Sequence, residues 1–114
     1  MVDDEPQVRA TVREALAYEG YDVSEAENGA DALASIALSL PDLVIFDLWM
    51  PVMDGWQLRK KLREVHPGLP VIVLSALELD PAKLLALAAD ALIEKPFDLD
   101  TLYKTVSEVL ARHA

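Results

Sequence analysis

The chain has 114 residues, enough for one domain with a core of its own, and its formal net charge is −10. It contains no cysteine, which excludes disulfide bonds and thiolate metal sites. Because the chain is acidic and has no dense basic cluster, we expect no direct binding of nucleic acid. No apolar run approaches the roughly 20 residues of a membrane span, and no signal-peptide pattern opens the chain, so we expect a cytoplasmic protein.

Apolar periodicity and turn residues predict helices that alternate with strands along the chain. Pro6 opens the first helix, Gly20 ends it, and Asp98 caps the last one. Short, continuous apolar runs predict strands that are buried on both faces. The predicted helices cover 6–18, 30–40, 55–65, 81–88 and a final segment after Asp98, and the predicted strands cover 21–26, 43–46, 71–74 and 91–93.

Residues with charged or hydroxyl side chains stand at, or just after, the ends of several predicted strands. Asp3 and Asp4 follow a very short first strand, and Asp47, Ser75 and Lys95 come after later apolar runs. Short connections between alternating strands and helices predict a parallel sheet, in which ligands bind beyond the carboxyl ends of the strands. We therefore expect these side chains to meet at one edge of the sheet.

The chemistry of this set favours a hard cation and phosphoryl transfer. Crowded carboxylates repel one another, and oxygen ligands without a nearby histidine suit Mg²⁺ first and Mn²⁺ second. An acidic nucleophile at Asp47, with Lys95 and the hydroxyl of Ser75 beside it, matches what phosphoryl capture by an aspartate requires. A simpler interpretation is that Asp3 and Asp4 only provide negative charge at the start of the first helix.

Four stretches in this order resemble the receiver domain of two-component response regulators. They are "VDDEP" (2–6), "PDLVIFDLWMPVMDG" (41–55), "PVIVLSA" (70–76) and "EKPF" (94–97). The resemblance implies an α/β, flavodoxin-like fold, with a doubly wound parallel sheet of five strands in the order 2-1-3-4-5. It also implies that residues 1–114 form a single receiver domain, with no output domain in this sequence.

The resemblance assigns roles to the residues at the phosphoryl site. Asp47 corresponds to the phosphoacceptor, Ser75 to the switch hydroxyl and Lys95 to its cationic partner, with a cis bond to Pro96 that aims the ammonium inward. The donor would be a histidine kinase or a phosphotransfer protein. Such a domain is not an enzyme on an external substrate, because it catalyses only its own phosphorylation and dephosphorylation.

The resemblance also implies a magnesium site. Asp4 and Asp47 would bind Mg²⁺ directly, Asp3 would act mainly through water, and the backbone carbonyl of Trp49 would be the third protein ligand. Mn²⁺ is the other possible ion.

The sequence departs from the family pattern in four places. One is the segment from Ser75 to Lys95, which spans 20 positions, about two fewer than is usual for the family. The first strand is truncated, with only Met1 and Val2 before Asp3, although strands usually have about five residues. Ala88 stands where the family tends to have glycine. Leu92 takes the place of the usual aromatic switch residue, so the rotation of an aromatic ring behind the hydroxyl cannot occur.

The segment between Ser75 and Lys95 is rich in leucine and predicts a partner surface. On a helix from Pro81, three leucines point in directions too widely spread for one buried stripe, so part of this surface should stay exposed. We expect a homodimer through the fourth helix, the last strand and the final helix, with Leu84 and Leu87 in the interface. The leucines of the segment are Leu77, Leu79, Leu84, Leu85, Leu87 and Leu92.

Two other functions remain open from the sequence. One is a receiver-like protein-interaction module that no longer switches. The other is a metal-dependent phosphatase with an aspartyl nucleophile, which is weaker because that class needs a second acid two residues after the nucleophile, where this chain has Trp49.

Overall fold

A computed structural model describes residues 1–76 and 81–113, apart from the side chain of Leu84. Leu77 and Leu79 of the predicted partner surface therefore lie outside the described residues. The helices are α1 (Pro6–Tyr18), α2 (Gly29–Leu38), α3 (Gly55–Val65), α4 (Pro81–Leu87) and α5 (Leu99–Arg112), and the strands are β1 (Val44–Asp47), β2 (Val71–Ser75) and β3 (Ala91–Glu94). No helix in these ranges is both long enough and apolar enough to cross a membrane.

The three strands form a parallel sheet in the order β1-β2-β3. Val2 extends this sheet by an isolated parallel bridge to Phe46, and Ala26 adds a further parallel bridge on the other side of Val2. The five extended segments therefore keep the expected 2-1-3-4-5 order. The prediction of a continuous strand over 21–26 is wrong: only Ala26 pairs, because the first segment beside it is itself reduced to a single bridge.

The core lies on both faces of the sheet, as expected for strands that are buried on two sides. Alternate strand residues face opposite layers: Phe46 and Val73 pack with α2 and α3, whereas Ile45 and Ile72 pack with α1 and α5. The main helical contributors are Ile36, Leu58 and Leu62 in the first layer and Val12, Leu16, Leu102, Val106 and Val109 in the second. This arrangement fixes the carboxyl ends of the strands at one edge.

The short helix α4 presents a different face from the one predicted. Leu87 is only 1% exposed and belongs to the core layer under α2 and α3, so its predicted place in a dimer interface is wrong. Leu85 is 80% exposed, so α4 offers this large apolar side chain to solvent. Leu92 is half-buried against the same core layer as Leu87.

Candidate functional site

Asp47 is the last residue of β1, and its side chain is buried at the carboxyl edge of the sheet. Both of its carboxylate oxygens accept hydrogen bonds. Oδ1 accepts from the backbone N–H of Trp49 at 3.1 Å, and Oδ2 accepts from Nζ of Lys95 at 2.6 Å. The carboxylate is thus held in one orientation, with an ammonium group directly against it.

Asp3 lies beside Asp47 because Val2 pairs with Phe46 in the sheet. Its side chain is completely buried; Oδ1 accepts from the N–H of Glu5 at 3.0 Å, and Oδ2 accepts from Nζ of Lys95 at 2.8 Å. A second cation reaches the same turn, since Nη1 of Arg9 donates to the backbone oxygen of Asp3 at 2.6 Å. The buried acid is therefore fixed by both backbone and side-chain bonds.

Lys95 joins these two buried acids. It follows β3, its peptide bond to Pro96 is cis as expected, and its N–H donates to the backbone oxygen of Ser75 at 2.8 Å. Burial opposes the charge on the ammonium, but hydrogen bonds and attraction from Asp3 and Asp47 outweigh it and raise the pKa of Lys95 above the ordinary lysine value of 10.5. The lysine therefore stays charged at neutral pH.

Four carboxylates form a cluster that fits a hard cation. Ligand oxygens of Asp3, Asp4, Glu5 and Asp47 all lie within 4.8 Å of one another; Asp3 and Asp47 are buried, whereas Asp4 and Glu5 are exposed. Four carboxylates against the ammonium of Lys95 and the guanidinium of Arg9 leave an excess of negative charge that a divalent cation would neutralise. Oxygen ligands from both the floor and the rim of the site are the donor set that Mg²⁺ or Mn²⁺ prefers.

Glu5 is the site residue that the sequence interpretation missed. One of its carboxylate oxygens lies 3.7 Å from Nζ of Lys95. It stands directly after Asp4 and before the proline that opens α1, so its place in the acidic run was the available signal. Trp49, by contrast, was predicted to contribute its backbone carbonyl; its N–H bonds to Asp47, and the role of its carbonyl stays a prediction.

Ser75 ends β2 and is completely buried, beside Glu94 in the strand register. Its backbone bond to Lys95 brings the two residues together at the same edge as Asp47. The structure thus brings together Asp3, Asp4, Asp47, Ser75 and Lys95, as the parallel topology predicts.

The Asp-Gly pair after the acceptor strand holds α3 against it. Asp54 and Gln57 form a capping box, in which each side chain bonds to the other's backbone N–H at 2.9 and 3.1 Å. Gly55 donates to the backbone oxygen of Leu48 at 2.8 Å, and a Cβ on Gly55 would lie 2.5 Å from the backbone oxygen of Asp47. Only glycine allows this approach, so α3 supports the backbone that carries Asp47.

Comparison with known proteins agrees with this geometry. The family model of the response regulator receiver domain matches residues 1–107. The chain belongs to the response regulator receiver family. It is thus a receiver domain of the two-component type.

Curated relatives and solved structures give the same picture. The chain is 35% identical over 114 residues to the probable transcriptional regulatory protein TcrX of Mycobacterium tuberculosis, covering 98% of this chain and 49% of that protein. It is 36% identical over 114 residues to the response regulator MprA of a Mycobacterium species, covering 98% of this chain and 50% of that protein. The receiver therefore spans about half the length of the curated relatives that it matches.

Among solved structures, a CheY-like response regulator receiver domain protein of Methanospirillum hungatei superposes with a TM-score of 0.91 at 29% identity, over 98% of this chain and 91% of that one. The signal receiver domain of a histidine kinase from Syntrophus aciditrophicus superposes with a TM-score of 0.87 at 32% identity, over 97% and 87% of the two chains. The flavodoxin-like receiver fold expected from the sequence is confirmed.

Proposed function

We propose that this receiver accepts a phosphoryl group on Asp47 from a histidine kinase or a phosphotransfer protein. The main support for the proposal is the environment of the Asp47 carboxylate. It is buried at the edge of the sheet within an acidic cluster, and its Oδ2 lies 2.6 Å from Nζ of Lys95. In the transfer, the bond between phosphorus and the donor histidine breaks and a bond from phosphorus to a carboxylate oxygen of Asp47 forms. The histidine nitrogen keeps the electron pair of the broken bond.

The residues around Asp47 stabilise the product of this transfer. The ammonium of Lys95 already balances Asp3 and Asp47, and it would offset the charge on the transferred phosphoryl oxygens. Ser75 would be the switch residue that supplies a hydroxyl to the phosphoryl group, since it ends β2 at the same edge and its backbone oxygen accepts from Lys95. A divalent cation, Mg²⁺ first and Mn²⁺ second, would be held by Asp4, Asp47, Asp3 and the backbone carbonyl of Trp49 and would neutralise charge on the phosphoryl group.

Asp3 would position the site mainly through its buried bonds, whereas the exposed Asp4 and Glu5 would complete the ligand set from the rim.

The two alternative functions, a phosphatase and a non-switching module, have less support. A phosphatase would need a general acid at Trp49, whose indole carries no acidic group, and a non-switching module would not need Lys95 held between two buried acids.

The test uses acetyl phosphate as a small donor and the mass of the intact chain as the readout. With Mg²⁺, one phosphoryl group should add to the wild-type chain, whereas Asp47→Asn should remain unmodified because an amide is not a competent nucleophile. A chelator should stop the reaction, and Mn²⁺ should restore it. Equal labelling of Asp47→Asn, or labelling that persists in the chelator, would reject the proposal.

We further propose that phosphorylation strengthens a homodimer through α4, β3 and α5. The exposed Leu85 supports this surface and takes the place that Leu87 was expected to have. Ser75 leads into the segment before α4, so a hydroxyl drawn toward the phosphoryl group would alter the position of that helix. The side chain of Leu84, also expected in the interface, is not among those described.

A further inference from the structure

The helix α3 concentrates positive charge in an acidic chain. Arg59, Lys60, Lys61 and Arg63 are four of the ten lysines and arginines in a chain of net charge −10. They belong to neither the acidic cluster nor the phosphoryl site, so the proposed function does not account for them.

Arg59 is a buried cation whose hydrogen bonds, among the described residues, go to neutral groups. It is 7% exposed; its Nε donates to the backbone oxygen of Leu87 and its Nη2 to that of Ala88, both at 2.7 Å. Both acceptors are neutral, and within residues 1–76 and 81–113 no carboxylate forms an ion pair with Arg59. Its Nη1 is buried with no hydrogen-bond partner. A buried charge normally acquires a paired counter-charge, because isolation in a protein interior costs several kcal/mol.

The surroundings of Arg59 add to this imbalance. Burial first, and then the like charge of Arg63, lower the pKa of Arg59, whereas attraction from Asp90 opposes this shift. Arg63 itself donates from Nη1 to the backbone oxygen of Ala86 at 3.2 Å, which is again a neutral partner. Two arginines on α3 thus donate to backbone oxygens at the end of α4 and just after it, and in the described part of the chain neither forms an ion pair with a carboxylate.

Arg59 and Arg63 line a cleft of about 350 Å³ between α3 and α4. Its walls include Trp56, Arg59, Lys60, Arg63 and Glu64 from α3 and Leu87 from α4. Three cations therefore face one carboxylate, and that carboxylate lies 4.0 Å from Lys61, a fourth cation. The volume lies at the lower end of the range for small-molecule sites.

We propose that the cleft between α3 and α4 binds the phosphate group of a small molecule, with Arg59, Lys60 and Arg63 as its ligands. Charge-assisted hydrogen bonds from guanidinium groups to phosphate oxygens are among the strongest in proteins. Trp56 lies one turn before Arg59 and Lys60 on the same face of α3, and its indole offers a surface for a planar ring attached to the phosphate. Since Arg59 also holds the end of α4, such a ligand would act on a helix of the proposed partner surface.

The test is a titration of the ¹⁵N-labelled wild-type chain with inorganic phosphate, without Mg²⁺ and at constant ionic strength. We expect saturable shifts of α3 and α4 amides, and Arg59→Gln should weaken binding by about tenfold or more, as loss of a charge-assisted bond predicts. Because Arg59 also holds α4, Lys60→Gln gives a second test that leaves the α4 bonds intact, and it should weaken binding several-fold. Adenosine monophosphate should bind at the same residues and shift the indole N–H of Trp56.

Lys61→Gln is the matched control, since Lys61 lies on the same helix but is not among the residues that line the cleft; its effect should be under about twofold. Three results would overturn the proposal. The first is amide shifts that do not saturate with phosphate. The second is a loss of phosphate affinity in Lys61→Gln as large as that in Lys60→Gln, because equal losses indicate diffuse electrostatic attraction. The third is acetate binding as tightly as phosphate, which indicates a carboxylate site.

Discussion

The first residue of α3, Gly55, packs against the backbone that carries Asp47. A Cβ added at Gly55 would lie 2.5 Å from the backbone oxygen of Asp47 and 2.6 Å from Cα of Leu48, closer than the 3.0 Å that real Cβ atoms keep. Both neighbours are backbone atoms, so no side chain can turn away to make room. Gly55→Ala must therefore move either the start of α3 or the end of β1.

The expected cost follows from two opposing effects. Overpacking of this kind costs about 1–3 kcal/mol, and the better helix propensity of alanine returns up to about 1 kcal/mol. We expect Gly55→Ala to lose about 1–2 kcal/mol of unfolding free energy, which lowers the urea midpoint by roughly 0.5–1 M. The displaced Asp47 backbone should also slow phosphorylation by acetyl phosphate.

Two other glycines serve as controls in the same urea and phosphorylation assays. Gly68 has nothing within 4 Å of an added Cβ, so Gly68→Ala should leave stability and phosphorylation unchanged. Gly20 also has open space but a φ of +94°, so Gly20→Ala should cost about 1 kcal/mol without slowing phosphorylation. Wild-type stability and wild-type phosphorylation of Gly55→Ala would show that the close approach does not support the acceptor strand.

The remaining predictions concern strain, charge and assembly. Val52 is β-branched and 81% exposed, and its φ of 67° is strained for such a residue. Val52→Gly should therefore stabilise the fold by about 0.5–1 kcal/mol in urea unfolding, whereas the control Val65→Gly in α3 should destabilise it. Equal losses of stability in the two variants would exclude strain at Val52. Because the pKa of Lys95 is raised in the folded state, its charge stabilises the fold below pH 10.5 and this contribution is lost as pH rises through the raised value. Lys95→Met should therefore be less stable than wild type at pH 7, with a difference that narrows above pH 10.5; a difference independent of pH would contradict the role of the charge. Beryllofluoride, a phosphoryl mimic, should induce a wild-type dimer with Mg²⁺, and Leu85→Glu should abolish it, as measured by light scattering after size exclusion. A wild-type chain that stays monomeric with the mimic, or a dimer that survives the substitution, would reject the proposed surface.

The edge of the sheet was predictable because parallel strands place their carboxyl ends together whatever the details of packing. Asp47, Ser75 and Lys95 each follow an apolar run, so their convergence needs only the topology. The bounds of α1 and α3 were likewise predictable, since Pro6, Asp54 and Gly55 are local signals that the caps use directly.

The features that were not predictable depend on distant partners. Leu87 is buried because α4 packs on the core layer of α2 and α3. The three leucines of α4 point in widely spread directions, so the sequence does not reveal which face of the helix packs on the core. The bonds from Arg59 to α4 join residues 28 and 29 positions apart, with no periodic signal in the sequence. The segment over 21–26 has the composition of a strand, but pairing requires a neighbour, and only Ala26 has a bridge.

The most direct test of the phosphoacceptor is to map the modified residue after phosphorylation with acetyl phosphate and Mg²⁺. Borohydride reduction converts an aspartyl phosphate to homoserine, and peptide mass spectrometry then locates the changed residue. The buried, lysine-bound carboxylate of Asp47 predicts a single homoserine at position 47. Homoserine at Asp3 or Asp4, or no converted residue in a chain that has gained phosphate, would contradict the assignment of Asp47.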